Sequence, residues 1–300
     1  MSHEADHAID RSHSVQIPNS GACRAPHEQA PLLSCDAHIH IYDPGFPGEG
    51  PIPENADAPQ YRQLQNLIGL TRAVVVQPRS YGTDNTVTLR AIARLGPERT
   101  RGVAVVEPTI GDTQLMSLHE GGIRGVRFSF HTPNKKAGDY ATVERLAQRI
   151  SPLGWHVQLH WTADQIAQQR ALLERLPCTI VFDHLGRLPL VEGTAHPAFD
   201  IMRSLLADGR AWLKLSGAYL NTGNGVRGGY HDTDAIARAW IETAPDRLVW
   251  GSDWPHVTEP TDKPDDAELF DLLSRWCGSP TLRQRILVQN PAQLYGFSAS

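Results

Sequence analysis

The chain has 300 residues, a formal net charge of −5, 40% hydrophobic residues and 20% charged ones, which is enough for one large buried core in a globular protein. No basic run occurs, which argues against a nucleic-acid partner, and no apolar stretch nears the ~18 residues of a membrane span. The N-terminus lacks a secretory signal, and the 4 cysteines are scattered with no CxxC pair, so free thiols and a cytoplasmic location are expected.

Residues 1–31 are polar, lack a hydrophobic period and read as a flexible leader before a single domain over 32–300. Segment 32–38 (LLSCDAH) predicts a first strand, followed by a helix over 58–70. The run AVVVQ at 73–77 fits a strand buried on both faces, and the helix after it, 85–95, is stopped by Gly96-Pro97. Further strands are expected at 102–106, 125–130, 156–160, 179–184, 211–215 and 248–251. Helices are expected between them at 112–120, 140–150, 163–176, 198–207 and 233–244, with closing helices at 265–276 and 281–288.

Strand and helix thus alternate eightfold, with connections long enough for right-handed crossovers. This predicts an α/β fold, the (β/α)8 or TIM barrel, which typically takes ~250 residues. A doubly wound open sheet usually has fewer strands and a Gly-rich turn after the first. Here that turn carries His38 and His40, and neither GxGxxG nor GxxxxGK[ST] occurs, so no nucleotide site is expected.

His38 and His40 are two apart and share one face of a strand. His160 ends strand 5, His184 ends strand 6, and Asp253 follows strand 8 in VWGSDWPH. Each alone is most simply a hydrogen-bonded strand end. At the C-terminal ends of strands in one barrel, all five share the mouth where such barrels place their active sites. Four imidazoles and a carboxylate suit one divalent cation with a position left for water. Arg127 alternates with Val126 and Phe128 and therefore points inward, where it needs an internal carboxylate or a substrate anion. Arg187, Arg79, Lys214, Tyr219 and Asn221 end or follow strands and are candidate pocket-lining residues. The tryptophans of 250–256 read as packing, and His256 as a support at most.

The segments DAHIHIYDPGFP, GGIRGVRFSF, FDHLGR, WLKLSGAY, RLVWGSDWPH and LVQNPAQLYGF resemble the amidohydrolase superfamily from about 34 to 297. More narrowly they resemble its lactonase branch, whose members act on pyrone-dicarboxylate, sulfomuconolactone and galactarolactone. The resemblance implies hydrolysis of a small anionic lactone in aromatic-compound catabolism. It implies metal ligation by His38, His40, His160, His184 and Asp253, chemistry at Asp253 and His184, and Arg127 and Arg187 on substrate acid groups. In the branch's metal-independent dicarboxylate lactonases a tyrosine stands where this chain has His160. In its isomerases an amide stands where this chain has Asp253. Both departures point to a hydrolase, and His160 points to a metal-dependent one. No bridging Lys or Glu ends strand 4, so one ion is expected, zinc before manganese. Metal-free catalysis, lactone isomerisation and metal-dependent decarboxylation stay open, and the oligomeric state is not legible.

Overall fold

The computed structural model describes residues 15–131 and 138–298. Eight strands form its centre: β1 (Cys35–Ile39), β2 (Arg72–Val76), β3 (Thr100–Ala104), β4 (Ile123–Ser129), β5 (His156–His160), β6 (Ile180–Phe182), β7 (Ala211–Leu215) and β8 (Leu248–Trp250). They are hydrogen-bonded in chain order, every pair parallel. The ring closes beyond the last strand. The Asp253 N–H donates to the His38 carbonyl at 2.9 Å, and the His40 N–H to the Trp254 carbonyl at 2.8 Å. Gly251 permits that approach, since a Cβ there would lie 2.7 Å from the His38 Cβ.

Side-chain alternation sorts the strands into two cores. Outward residues such as Val126, Phe128, Leu213 and Leu215 pack beneath the helices. Inward residues Val74, Val103, Val181, Trp212 and Val249 fill the lower barrel, floored by Tyr295 and Phe297. Two residues further along their strands, Asp183 and Lys214 continue the inward face in a charged layer, with Arg127 and Gln158 beside them. A register irregularity in β1 between Asp36 and Ile39 lets Ala37 join the lower core while His38 also turns inward.

The helices follow their local signals. In Ala58–Ile68, Asp57 caps the N-terminus by accepting from the Gln60 N–H, Tyr61, Leu64 and Ile68 face the core, and Gly69 ends the helix at φ 88°. The helix expected over 163–176 is broken at Gln169 into Ala163–Gln168 and Arg170–Arg175. The last expected helix becomes Pro280–Gln284, a π-turn over Arg285–Gln289, and Asn290–Tyr295. Pro291 has no N–H for the carbonyl four residues earlier, and the wider turn absorbs that mismatch.

The expected leader is corrected. From residue 15 the chain packs on the barrel, and only 1–14 of the segment lie outside the described residues. Val15–Gln16 pairs antiparallel with Ala22–Cys23, and Ile17 is buried. The Pro18 carbonyl accepts from the Trp254 indole N–H at 2.8 Å, and the Ser20 hydroxyl accepts from the Asp266 N–H at 3.1 Å. Ile17, single hydrogen bonds and the Arg24–Asp271 ion pair do the anchoring, so no period announces it. Among the described residues no helix is long and apolar enough to cross a membrane.

Candidate active site

The charged layer supports the mouth. Asp183 is fully buried, and its Oδ2 accepts from Arg127 Nε at 3.0 Å and Gln158 Nε2 at 3.2 Å. Lys214, equally buried, donates to the Ala37 carbonyl and to Gln158 Oε1, both at 2.8 Å. Its Nζ also lies 3.3 Å from His38 Nδ1 and 3.8 Å from Asp183 Oδ1. Burial alone would raise Asp183, but Arg127, then His38 and Lys214, hold it well below the carboxylate range. Burial pulls Lys214 down to about 8, with Asp183 resisting.

Above this layer the histidines are oriented from behind. His40 Nδ1 bonds to the Val76 carbonyl at 2.8 Å, His160 Nδ1 to Ser129 Oγ at 2.8 Å, and His184 Nδ1 to Ser216 Oγ at 3.0 Å. His38 Nδ1 lies 3.4 Å from Asp183 Oδ1. Anchoring Nδ1 in this way leaves Nε2 as the nitrogen available to the centre. Burial depresses His38 and His160 well below the usual imidazole range and takes His184 to about 4, so all three rings are neutral at pH 7.

Asp253 meets them from the closing loop. Its Oδ1 lies 3.5 Å from both His38 Nε2 and His40 Nε2, which are 3.3 Å apart. Its Oδ2 accepts from the Tyr219 hydroxyl at 2.7 Å and lies 3.9 Å from His184 Nε2. Burial works to raise Asp253, but His184 and the His40 hydrogen bond keep it well below the carboxylate range. Burial, then Asp253, push the Tyr219 phenol well up, so it keeps its proton.

The three donor atoms His38 Nε2, His40 Nε2 and Asp253 Oδ1 fit a metal. A tetrahedral zinc with bonds of ~2.0–2.1 Å has donor–donor edges of about 3.4 Å. Their separations of 3.3, 3.5 and 3.5 Å match those edges. A second group, His38, Asp183 and His184, also brings its ligand atoms within 4.8 Å of one another. His160 belongs to neither group among the described residues. It stands edge-on to His184 at 5.4 Å between ring centroids and stacks on His131 at 4.9 Å.

The site is built on strained backbone. His184, Leu185, Gly186 and Arg187 run left-handed at φ 50°, 56°, 70° and 51°, and Asp253 sits at φ 65°. Such φ values disfavour side-chain-bearing residues by ~1–2 kcal/mol each. The run is clamped because Leu185 is buried and its carbonyl accepts from the Trp240 indole at 3.2 Å.

Asp253, His40, His160 and His184 open onto a cleft of about 1060 Å³, walled also by Arg79, Arg127, Arg187 and Tyr219. Arg127 is the partner of Asp183, as one sequence alternative expected, and also lines the wall. Lys214 departs from its expected place. It has no exposed surface and lies below the mouth, because it is fastened to Ala37, Gln158 and His38. Asn221 donates to the Leu188 carbonyl at 3.4 Å.

Sequence reasoning missed Asp183, Ser129, Ser216 and His131. Asp183 was findable, since it continues the inward parity of Val181 in the same strand. His131, whose Nε2 meets Arg187 Nη2, follows β4 without a pattern of its own.

Comparison with known proteins bears on this arrangement. The family described as Amidohydrolase matches residues 35–297. The chain is 36% identical over 275 residues to the 4-sulfomuconolactone hydrolase of Rhizobium radiobacter, covering 89% of this chain and 91% of that one. It is 34% identical over 285 residues to the 2-pyrone-4,6-dicarboxylate hydrolase of Comamonas testosteroni, covering 90% and 92%. A solved apo structure from Agrobacterium tumefaciens superposes with a TM-score of 0.82 at 27% identity, covering 92% and 100%.

Proposed function

The chain belongs to the amidohydrolase family, and from that premise we propose that it hydrolyses a small lactone bearing carboxylate or sulfonate groups. The two relatives at 34% and 36% identity are named for such substrates. The observation that carries the reading is Asp253. It is an ionised carboxylate at the convergence of His38, His40 and His184, open to a cleft with arginines on its wall. The fixed charges favour an anion. The cleft and the layer beneath it set Arg79, Arg127, Arg187 and Lys214 against Glu49, Asp183 and Asp253, an excess of one positive charge.

One divalent ion, zinc before manganese, would be held by His38, His40 and Asp253, with His184 beside them. When bound, it would supply Lewis acidity to the water and the lactone carbonyl. The remaining work belongs to the chain. The Asp253 carboxylate takes the proton of the attacking water. His184 Nε2, aimed by Ser216, faces the oxygen on which charge develops. Arg187 and Arg79, with the free edge of the Arg127 fork, hold the substrate's acid groups by charge-assisted bonds. His160 contacts substrate from the same wall. The free thiols Cys35, Cys178 and Cys277 accord with a reducing cytoplasm, and the partner is a small molecule.

Lys214 supports a second, metal-free reading, because its ammonium already places a cation 3.3 Å from His38 Nδ1. Elemental analysis of untagged protein, followed by chelation on an anionic lactone panel, separates the two. About one zinc per chain, with activity lost on chelation and restored on return, supports the metal reading. Metal-free protein with undiminished activity establishes the second.

A further inference from the structure

We propose that Tyr219 is the catalytic acid of the site, its hydroxyl passing a proton to the ring oxygen that departs when the lactone opens. The inference rests on the lactone-hydrolase reading. The two oxygens of Asp253 face different partners. Oδ1 is turned to His38 and His40 at 3.5 Å, whereas Oδ2 receives the Tyr219 hydroxyl at 2.7 Å. The Oδ2 oxygen, which would otherwise return the proton, already accepts the Tyr219 hydroxyl, so the phenol stands between the base and the leaving oxygen and lines the same cleft. The attacking and leaving oxygens are bonded to one carbon, so a donor beside the base reaches both.

The phenol is also held rigidly. Tyr219 lies on the short helix Ala218–Asn221, which leaves β7 through Gly217 at φ 66°. Its ring stands edge-on to buried His256 at 5.0 Å, and His256 Nε2 is fixed by Asp266 Oδ1 at 3.0 Å. The cations near the base are poor donors to the leaving oxygen. Lys214 is sealed beneath His38, and an arginine keeps its protons.

The steps balance. Water adds its oxygen to the carbonyl carbon while one of its protons goes to Asp253. The ring C–O bond then breaks, its electron pair stays on the ring oxygen, and the Tyr219 proton moves there. The proton on Asp253 returns to Tyr219 Oη, and the new carboxylic acid ionises to solvent. No other reactant is needed.

The test compares wild type with Tyr219→Phe, which keeps the ring against His256, on two lactones with the same acid groups. In one the ring oxygen leaves as an alkoxide, in the other as an enolate that needs little help. For the alkoxide lactone, kcat should fall ~10²–10⁴-fold, as loss of a general acid does. For the enol lactone it should hardly fall, with KM steady for both. Equal losses on the two lactones would overturn the acid role and leave Tyr219 as a positioning residue for Asp253. A wild type that opens neither lactone would overturn the lactone reading, and this inference with it.

Discussion

Burial does opposite things to the residues of this barrel, according to what stands beside them. Asp253 and Asp183 stay ionised because imidazoles, Arg127 and Lys214 surround them. Asp36, bonded to Ser252 and to the His38 N–H but without a cation, is pushed up to about 7. His156, on the inward face of β5, has Nε2 unpartnered and its ring edge-on to Tyr295 at 5.6 Å. Burial, then Lys214, depress it to about 3. The unfolded chain binds that proton near pH 6.5, whereas the folded chain refuses it until about 3. Its stabilising effect is therefore complete above pH 6.5 and is lost as pH falls toward 3. Urea denaturation at stepped pH should show stability falling across that window, and a His156→Gln variant should show a shallower fall. An unchanged slope in the variant would remove His156 as a cause. The site histidines and Asp253 were legible because each stands at a strand end in a repeating pattern. His131 was not, because its role arises from Arg187, distant in sequence.

At the scale of elements, the contact of β1 with β8 matters most. No ladder joins these strands, so the loop after β8 does the work with two backbone bonds, and Asp36 reaches across. Its Oδ1 accepts from the Ser252 N–H at 2.9 Å, and its Oδ2 from Ser252 Oγ at 2.6 Å and from Tyr61 at 3.1 Å. The same loop carries Asp253, so closing the barrel and assembling the site are one event. Gly251→Ala drives a methyl against His38, and overpacking of this kind typically costs ~1–3 kcal/mol. Denaturant titration should show that loss together with weaker binding of the proposed divalent ion, and a variant with native stability and affinity would contradict the closure argument. The bounds of β5 and β7 follow from sequence because their apolar runs coincide with the paired residues. The break at Gln169 and the π-turn before Asn290 did not follow, since each is set by contacts between turns rather than by a hydrophobic period.

Across the whole molecule, eightfold alternation was enough to specify the barrel, and the strand-end positions were enough to bring the histidines and Asp253 together at its mouth. The segment from residue 15 was misread because a strap held by Ile17, Pro18 and Ser20 looks like linker in composition. That strap bonds Trp254, the residue after Asp253, and so joins the outer surface to the chemical centre. A hydrolase, unlike an isomerase, must put solvent oxygen into its product. The most direct test is turnover of a carboxylated or sulfonated lactone in heavy-oxygen water, with Asp253→Asn in parallel. We predict one solvent oxygen in the ring-opened acid from wild type, and a rate lower by ~10²–10⁴-fold in the variant. An isomeric lactone free of solvent oxygen, or equal turnover by the variant, would contradict the account.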